Sequence, residues 1–311
     1  MSKVGFIFPG QGSQAVGMGR DLSERFAEAR AVFDAVDDAL GEKLSRLCFE
    51  GPPDPLTLTA NTQPAILAVS VAAHAVFAAR GPKPELLAGH SLGEYSALVV
   101  AGALPLLDAA RAVRARGTFM QEAVPDGVGA MAAVLKLEPS RVKQVCEEAA
   151  QGEIVSPANY NSPEQTVIAG HATAVERASA MLKAAGAKRV VPLSVSAPFH
   201  CALMEPVKPR LREVLARIPV AAPIGPVVAN VDARPNSDPA RVVPLLLDQV
   251  SAPVRWIECV QAMQAAGVTR VVELGPGKVL SGLVRQISKE LETFNVEDVA
   301  SLERTLAALA R

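Results

Sequence analysis

Leu86-Leu87-Ala88-Gly89-His90-Ser91-Leu92-Gly93-Glu94-Tyr95 joins an apolar run to a helical pattern through two glycines set around a serine. Gly89 to Gly93 fits G-x-S-x-G in the required context, after a strand and before a helix. A serine on so sharp a turn needs small neighbours, because the backbone there is strained and tightly packed. The turn exposes the hydroxyl. It also aims the first N–H groups of the next helix, Leu92–Val100, at whatever the serine attacks, and those donors with the helix dipole favour a developing oxyanion. A plainer role fits the same letters: Ser91-x-x-Glu94 is a capping box. The flanking glycines and the buried strand before them favour a nucleophile.

Working outward, other short apolar runs also end in Gly or Pro and lead into helical patterns. Val4–Phe8 meets Pro9-Gly10-Gln11-Gly12, Val268–Leu274 meets Gly275-Pro276-Gly277, and Val227–Val231 follows Pro226. Continuous apolar strands alternating with helices predict a parallel sheet covered on both faces, with ligands at the carboxyl ends of its strands. Residues 65–79 form an apolar block too short for the ~20 residues of a membrane span. It predicts a buried helix starting at Pro64, the favoured first-turn position for proline.

The middle of the chain has a different rhythm. Val128–Leu135 is strand-like, Pro139–Ala150 helical, and Ile154–Tyr160 and Gln165–Ala169 strand-like around the turn 161–164. Ala172–Ala185 is helical and Lys188–Val195 strand-like. The order β-α-β-β-α-β predicts a small ferredoxin-like subdomain at 126–196, inserted into a large α/β domain made of 1–125 and 197–311. The crevice between them is the expected active site.

A serine hydroxyl is a weak nucleophile and needs a base. Of the four histidines, His74 lies in the buried helix, His90 adjoins Ser91 and should point away from it, and His171 belongs to a turn. His200 follows Ala197-Pro198-Phe199 where the chain leaves the insertion, which favours it as the base. Leu104–Ala123 reads as a helix with the stripe Leu106, Ala109, Val113, Arg116, Met120. Arg116 interrupts that stripe. A buried guanidinium demands a partner, either an internal carboxylate or the carboxylate of a substrate. Gly10-Gln11-Gly12 is weak as a dinucleotide loop, since Asp34, Asp37 and Asp38 fall in a helical pattern rather than at a strand end. It is better read as backbone that reaches the serine and donates the Gln11 N–H to an oxyanion hole.

With 31 Lys plus Arg against 32 Asp plus Glu the net charge is −1, which argues against nucleic acid or a charged membrane surface as partner. Four scattered cysteines suggest no disulfide framework. No metal-ligand spacing is present and no leader pattern opens the chain, so a cytoplasmic protein without a metal is expected.

Several motifs in one order make the chain similar to the malonyl-CoA:acyl carrier protein transacylases of bacterial fatty acid synthesis. They are Phe8-Pro9-Gly10-Gln11-Gly12-Ser13-Gln14, Asn61-Thr62-Gln63-Pro64, Gly89 to Tyr95, Arg116-Gly117-Thr118-Phe119-Met120-Gln121, Asn159-Tyr160-Asn161-Ser162-Pro163 and Phe199-His200. The resemblance implies an α/β-hydrolase-like domain with a ferredoxin-like insertion. It implies Ser91 as the acylated nucleophile, His200 as base and acid, and Gln249 as the residue whose backbone carbonyl orients the histidine. It makes Gln11 and Leu92 the oxyanion donors and Arg116 the ligand of the malonyl carboxylate. Phe199 resembles the malonyl-selective form, where serine accompanies methylmalonyl selectivity in related modular synthases. The implied partners are malonyl-CoA and acyl carrier protein, with no cofactor beyond the phosphopantetheine of the carrier. An acidic carrier needs a basic surface, for which Lys183, Lys188, Arg189, Lys208, Arg210 and Arg212 are candidates. The competing readings are a serine thioesterase or esterase, a malonyltransferase of a polyketide pathway, and a non-enzymatic dinucleotide-binding scaffold.

Overall fold

Alternation along adjacent strands explains why one sheet is covered twice. In the computed structural model, which describes residues 3–195 and 197–310, Phe6, Phe8 and Leu87 enter one apolar cluster while Ile7, Leu86 and Ala88 enter another. Successive side chains of a strand point to opposite faces, so a run apolar throughout feeds two cores at once. Among the described residues the strands are, in chain order, β1 Lys3–Phe8, β2 Leu86–Gly89, β3 Gly129–Leu135, β4 Val155–Ser162, β5 Gln165–His171, β6 Arg189–Pro192, β7 Val227–Val228, β8 Pro235–Asn236, β9 Val268–Leu274 and β10 Glu292–Val296. The large sheet has the order β10-β9-β1-β2-β7-β8 and is parallel except for β8. The chain is therefore of the α/β class that the sequence predicts. Helices 59–78, 92–100 and 106–122 cover the Phe6 face, and helices 256–265 and 279–287 the Ile7 face.

The second sheet has the order β4-β5-β3-β6 and is antiparallel throughout. Helices Pro139–Ala150 and Ala172–Ala184 pack on one face through Val142, Val145, Ala178 and Leu182. Met131, Ala133, Val167 and Ala169 on the other face join the main core beside Phe199. Main-chain bonds fasten β4 to the large part: Tyr160 N–H donates to the Val254 carbonyl and Val254 N–H to the Ala158 carbonyl, both at 2.9 Å. The expected boundary at 196 falls on Ser196, outside the described residues, as do Met1, Ser2 and Arg311.

Three local expectations need correction. The buried helix starts at Thr59 rather than Pro64 and runs to Ala78, with 15 of its 20 residues buried. Asn61 and Thr62 N–H groups both donate to the Leu58 carbonyl and nucleate it five residues early; Pro64 sits in its second turn, next to the buried Gln63. The run 227–231 is a strand for only two residues, because the ladder breaks where Asn230 turns to serve the elbow. Asn161 and Ser162 belong to β4, not to the turn. Strands β8 and β10, at the edges of the sheet, are additions to the pattern read from the sequence.

Candidate active site

The elbow is closed by contacts that only glycine permits. A Cβ on Gly89 would lie 1.9 Å from the Gly93 carbonyl carbon, and one on Gly93 would lie 2.0 Å from the Phe8 carbonyl oxygen. This packing holds Ser91 at φ 52°, ψ −106°, a conformation costly for a residue with a side chain. Ser91 makes no capping bond with its side chain. The capping-box reading is therefore set aside, and the hydroxyl is left for other work.

Ser91 Oγ lies 2.7 Å from His200 Nε2, and His200 Nδ1 lies 2.9 Å from the Gln249 carbonyl oxygen. A carbonyl only accepts, so Nδ1 carries the proton and Nε2 is left as acceptor for the serine hydroxyl. Burial, and then the charge of Arg116, pushes the imidazole down to about 3, which keeps it neutral near pH 7. The other histidines stand apart. His90 pairs with Asn161 Oδ1 at 2.8 Å through Nε2. His171 Nδ1 accepts the Ile154 N–H. His74 packs edge-on against Phe6, and burial lowers it to about 4.

Arg116 reaches the serine from helix Leu106–Glu122 and is 1% exposed. Its Nη2 donates to Ser91 Oγ at 3.1 Å and to Gln249 Oε1 at 2.9 Å, and its Nη1 donates to Gln63 Oε1 at 2.8 Å. The Tyr95 ring centroid lies 5.5 Å from the guanidinium carbon. Among the described residues no carboxylate forms an ion pair with it. Burial lowers its pKa, opposed by Tyr95 and Glu94, yet a guanidinium does not lose its proton in a protein. The result is a fixed cation whose neighbours are neutral oxygens, placed beside the Ser91 hydroxyl.

The remaining expected residues cluster around this centre. Gly10 abuts the elbow: a Cβ there would lie 2.4 Å from the His90 carbonyl oxygen. The next residue, Gln11, anchors its side chain on Thr59 Oγ1 at 3.1 Å. Leu92 is buried and opens the elbow helix. Phe199 is buried in the main core next to His200. Gln11, His90, Asn161 and Leu283 line a cavity of about 120 Å³ beside the serine turn.

Residue reading missed two members. Asn230 Oδ1 accepts the Ser91 N–H and its Nδ2 donates to the Gly89 carbonyl, both at 2.7 Å, so one side chain pins both sides of the elbow. Gln63 shows in the sequence only as part of Asn61-Thr62-Gln63-Pro64. A polar residue inside the apolar run 227–231, and a glutamine beside a proline in an apolar helix, are the available signals. Glu94, read as half of a capping box, instead accepts from Asn230 N–H and Gln249 Nε2, and burial pushes its carboxyl up to about 7. Among the described residues no group of three or more His, Cys, Asp or Glu side chains is gathered as a metal would need. No helix among them is long and apolar enough to cross a membrane.

Comparison with known proteins gives the family of the chain. The family model described as acyl transferase domain matches residues 5–308. The malonyl CoA-acyl carrier protein transacylase of Escherichia coli K12 is 48% identical over 307 residues, 98% of this chain and 99% of its own. That of Bacillus subtilis strain 168 is 47% identical over 310 residues, 99% of this chain and 98% of its own. The solved acyl carrier protein S-malonyltransferase from Vibrio cholerae has a TM-score of 0.96 at 50% identity, covering 98% of this chain and 100% of its own. A type II PKS acyl-carrier protein in complex with its malonyl-transacylase gives a TM-score of 0.96 at 47% identity, covering 99% of this chain and 100% of the other.

Proposed function

The chain belongs to the acyl transferase domain family, and from that membership we infer that it moves a malonyl group from malonyl-CoA to the phosphopantetheine thiol of acyl carrier protein. The observation that carries the reading is the buried Arg116 cation, held by neutral oxygens 3.1 Å from Ser91 Oγ. A neutral acyl group would leave that charge unanswered, whereas the free carboxylate of a malonyl unit answers it. A simple esterase has no use for such a charge.

The reaction runs in two halves. His200 Nε2 takes the Ser91 proton as Oγ attacks the thioester carbon. The N–H groups of Gln11 and Leu92 hold the oxyanion, and Gln249 keeps the imidazole aimed. The C–S bond breaks, and His200 returns the proton to the departing thiolate of coenzyme A. The carrier thiol then gives its proton to His200 and attacks the malonyl-serine, and Ser91 recovers the proton as it leaves. Thioester to oxyester to thioester is nearly balanced in energy, so the transfer asks for no metal or nucleotide. Phe199, buried beside the histidine, matches the malonyl-selective form of the family. Residues 126–196 act as an inserted unit closing one side of the crevice. Four free, buried cysteines suit a reducing compartment, which supports a cytoplasmic setting.

The test is brief mixing with radiolabelled malonyl-CoA. Label should appear on Ser91, pass to added carrier protein, and be absent from Ser91→Ala. In Arg116→Ala, kcat/KM for malonyl transfer should fall by about tenfold to a hundredfold, the loss of one charge-assisted bond, while acetyl transfer holds or rises. An unlabelled serine ends the reading. An equal fall for both donors would reduce Arg116 to a prop of the fold.

A further inference from the structure

We propose that Glu94 is a positioning residue for acyl selectivity: it fixes which end of the Gln249 carboxamide meets Arg116. The proposal rests on the malonyl-transfer reading of the site. Glu94 sits buried in the first turn of helix Leu92–Val100, and its carboxylate bonds to Asn230 and Gln249 rather than to Ser91 Oγ or His200. Its Oε2 accepts from the Asn230 backbone N–H at 2.9 Å and from Gln249 Nε2 at 2.8 Å.

Gln249 is fully buried, and its Nε2 also lies 3.0 Å from the Ser91 carbonyl oxygen and 3.4 Å from Asn230 Oδ1. Three oxygens surround that end of the amide, so it must be the donor end. Turned over, the carboxamide would set its oxygen against three acceptors and its NH2 group against the NH2 of Arg116. In the orientation present, Gln249 Oε1 accepts from Arg116 Nη2 at 2.9 Å. With Gln63 Oε1 on Nη1, the guanidinium is held in one plane by two neutral oxygens and keeps its charge for a substrate carboxylate. An acid in direct contact with Arg116 would cancel that charge. Glu94, one amide away, orients without neutralising. Of the three oxygens around Nε2 it is the nearest and the one belonging to an acid, so its removal most weakens the preference for the present orientation.

The test is the ratio of kcat/KM for malonyl-CoA to kcat/KM for acetyl-CoA, with carrier protein as acceptor, in the native chain, Glu94→Gln, Glu94→Ala and Glu94→Met. Both donors meet the same folded molecules, so a loss of folded protein cancels in the ratio. Glu94→Gln retains an oxygen for Asn230 and Gln249 and should hold the ratio within about threefold, under one hydrogen bond's worth. Glu94→Ala and Glu94→Met have no acceptor and should lower it by about tenfold or more. Met fills the volume of Glu, so a folding defect in the alanine variant does not leave the question open. An unchanged ratio in the variants without an acceptor, or an equal fall in Glu94→Gln, overturns the proposal. A native chain without any malonyl preference overturns the reading of the site and the proposal with it, which separates the two failures.

Discussion

Ser91 and His200, 2.7 Å apart, both sit at positive φ, 52° and 59°. Each such conformation costs about 1–3 kcal/mol in a residue with a side chain, so the surrounding packing must impose both. His200 carries a further cost that acid reveals. An imidazole in an unfolded chain titrates near 6.5, whereas burial holds this one at about 3. Below pH 6.5 the unfolded chain therefore binds a proton that the native chain refuses, and stability falls as pH drops towards 3. Glu94, raised to about 7, has the opposite sign: the native chain binds its proton more tightly than the unfolded chain between about 4.5 and 7. A comparison of native protein with His200→Gln removes the Glu94 contribution, which both chains share. On going from pH 7 to pH 5 the native chain should lose about 2 kcal/mol relative to His200→Gln, read from urea midpoints. A constant difference would mean that the native imidazole is already protonated at pH 5.

At the scale of elements, the turn between β2 and the elbow helix is clamped from both sides. Gly93→Ala would drive a methyl group into the Phe8 carbonyl, 2.0 Å away. Relief requires β1 and the helix to move apart, and a loss above about 3 kcal/mol is expected in a denaturant titration; a loss below 1 kcal/mol, by the same scale, would show that the clamp is loose. This element was legible beforehand because its constraint is written in neighbouring letters, Gly-x-Ser-x-Gly after an apolar run. Helices Leu92–Val100 and Pro139–Ala150 were legible to the residue for a similar reason: Gly or Pro marks their starts. Arg116 declared itself by breaking a stripe that should be apolar. Asn230 did not, because its role depends on β7 lying beside β2, a long-range neighbour relation that no local pattern encodes. The start of the buried helix was misplaced because Pro64 looks like a first residue. Backbone bonds to Leu58 outweigh the one bond the proline cannot make.

At the scale of the molecule, the small sheet is not a loose flap. Its β4 is tied by main-chain bonds to Val254, and His90 of the elbow holds Asn161, so the crevice has fixed walls. Its far edge carries Lys188 and Arg189, and the helix Ala172–Ala184 beside it carries Lys183, all exposed. By contrast, Lys208 is engaged by Glu205, and Arg210 by Glu122 and the Phe119 ring. Lys188 and Arg189 also line a cavity of about 300 Å³ with Glu164 and Gln286. Reversing the charge at both positions should raise KM for an acidic carrier severalfold, roughly 1 kcal/mol of lost attraction, and weaken its salt dependence, while KM for malonyl-CoA and Tm change little. An unchanged carrier KM would move the docking surface elsewhere. The whole assembly also differs from a Ser-His-Asp arrangement in what heredity can damage. The group that aims His200 is the carbonyl of Gln249, an atom every amino acid possesses. A single codon change can delete the alcohol, the imidazole or the guanidinium, but none can delete that acceptor; of the working parts, it is the one out of reach of point mutation.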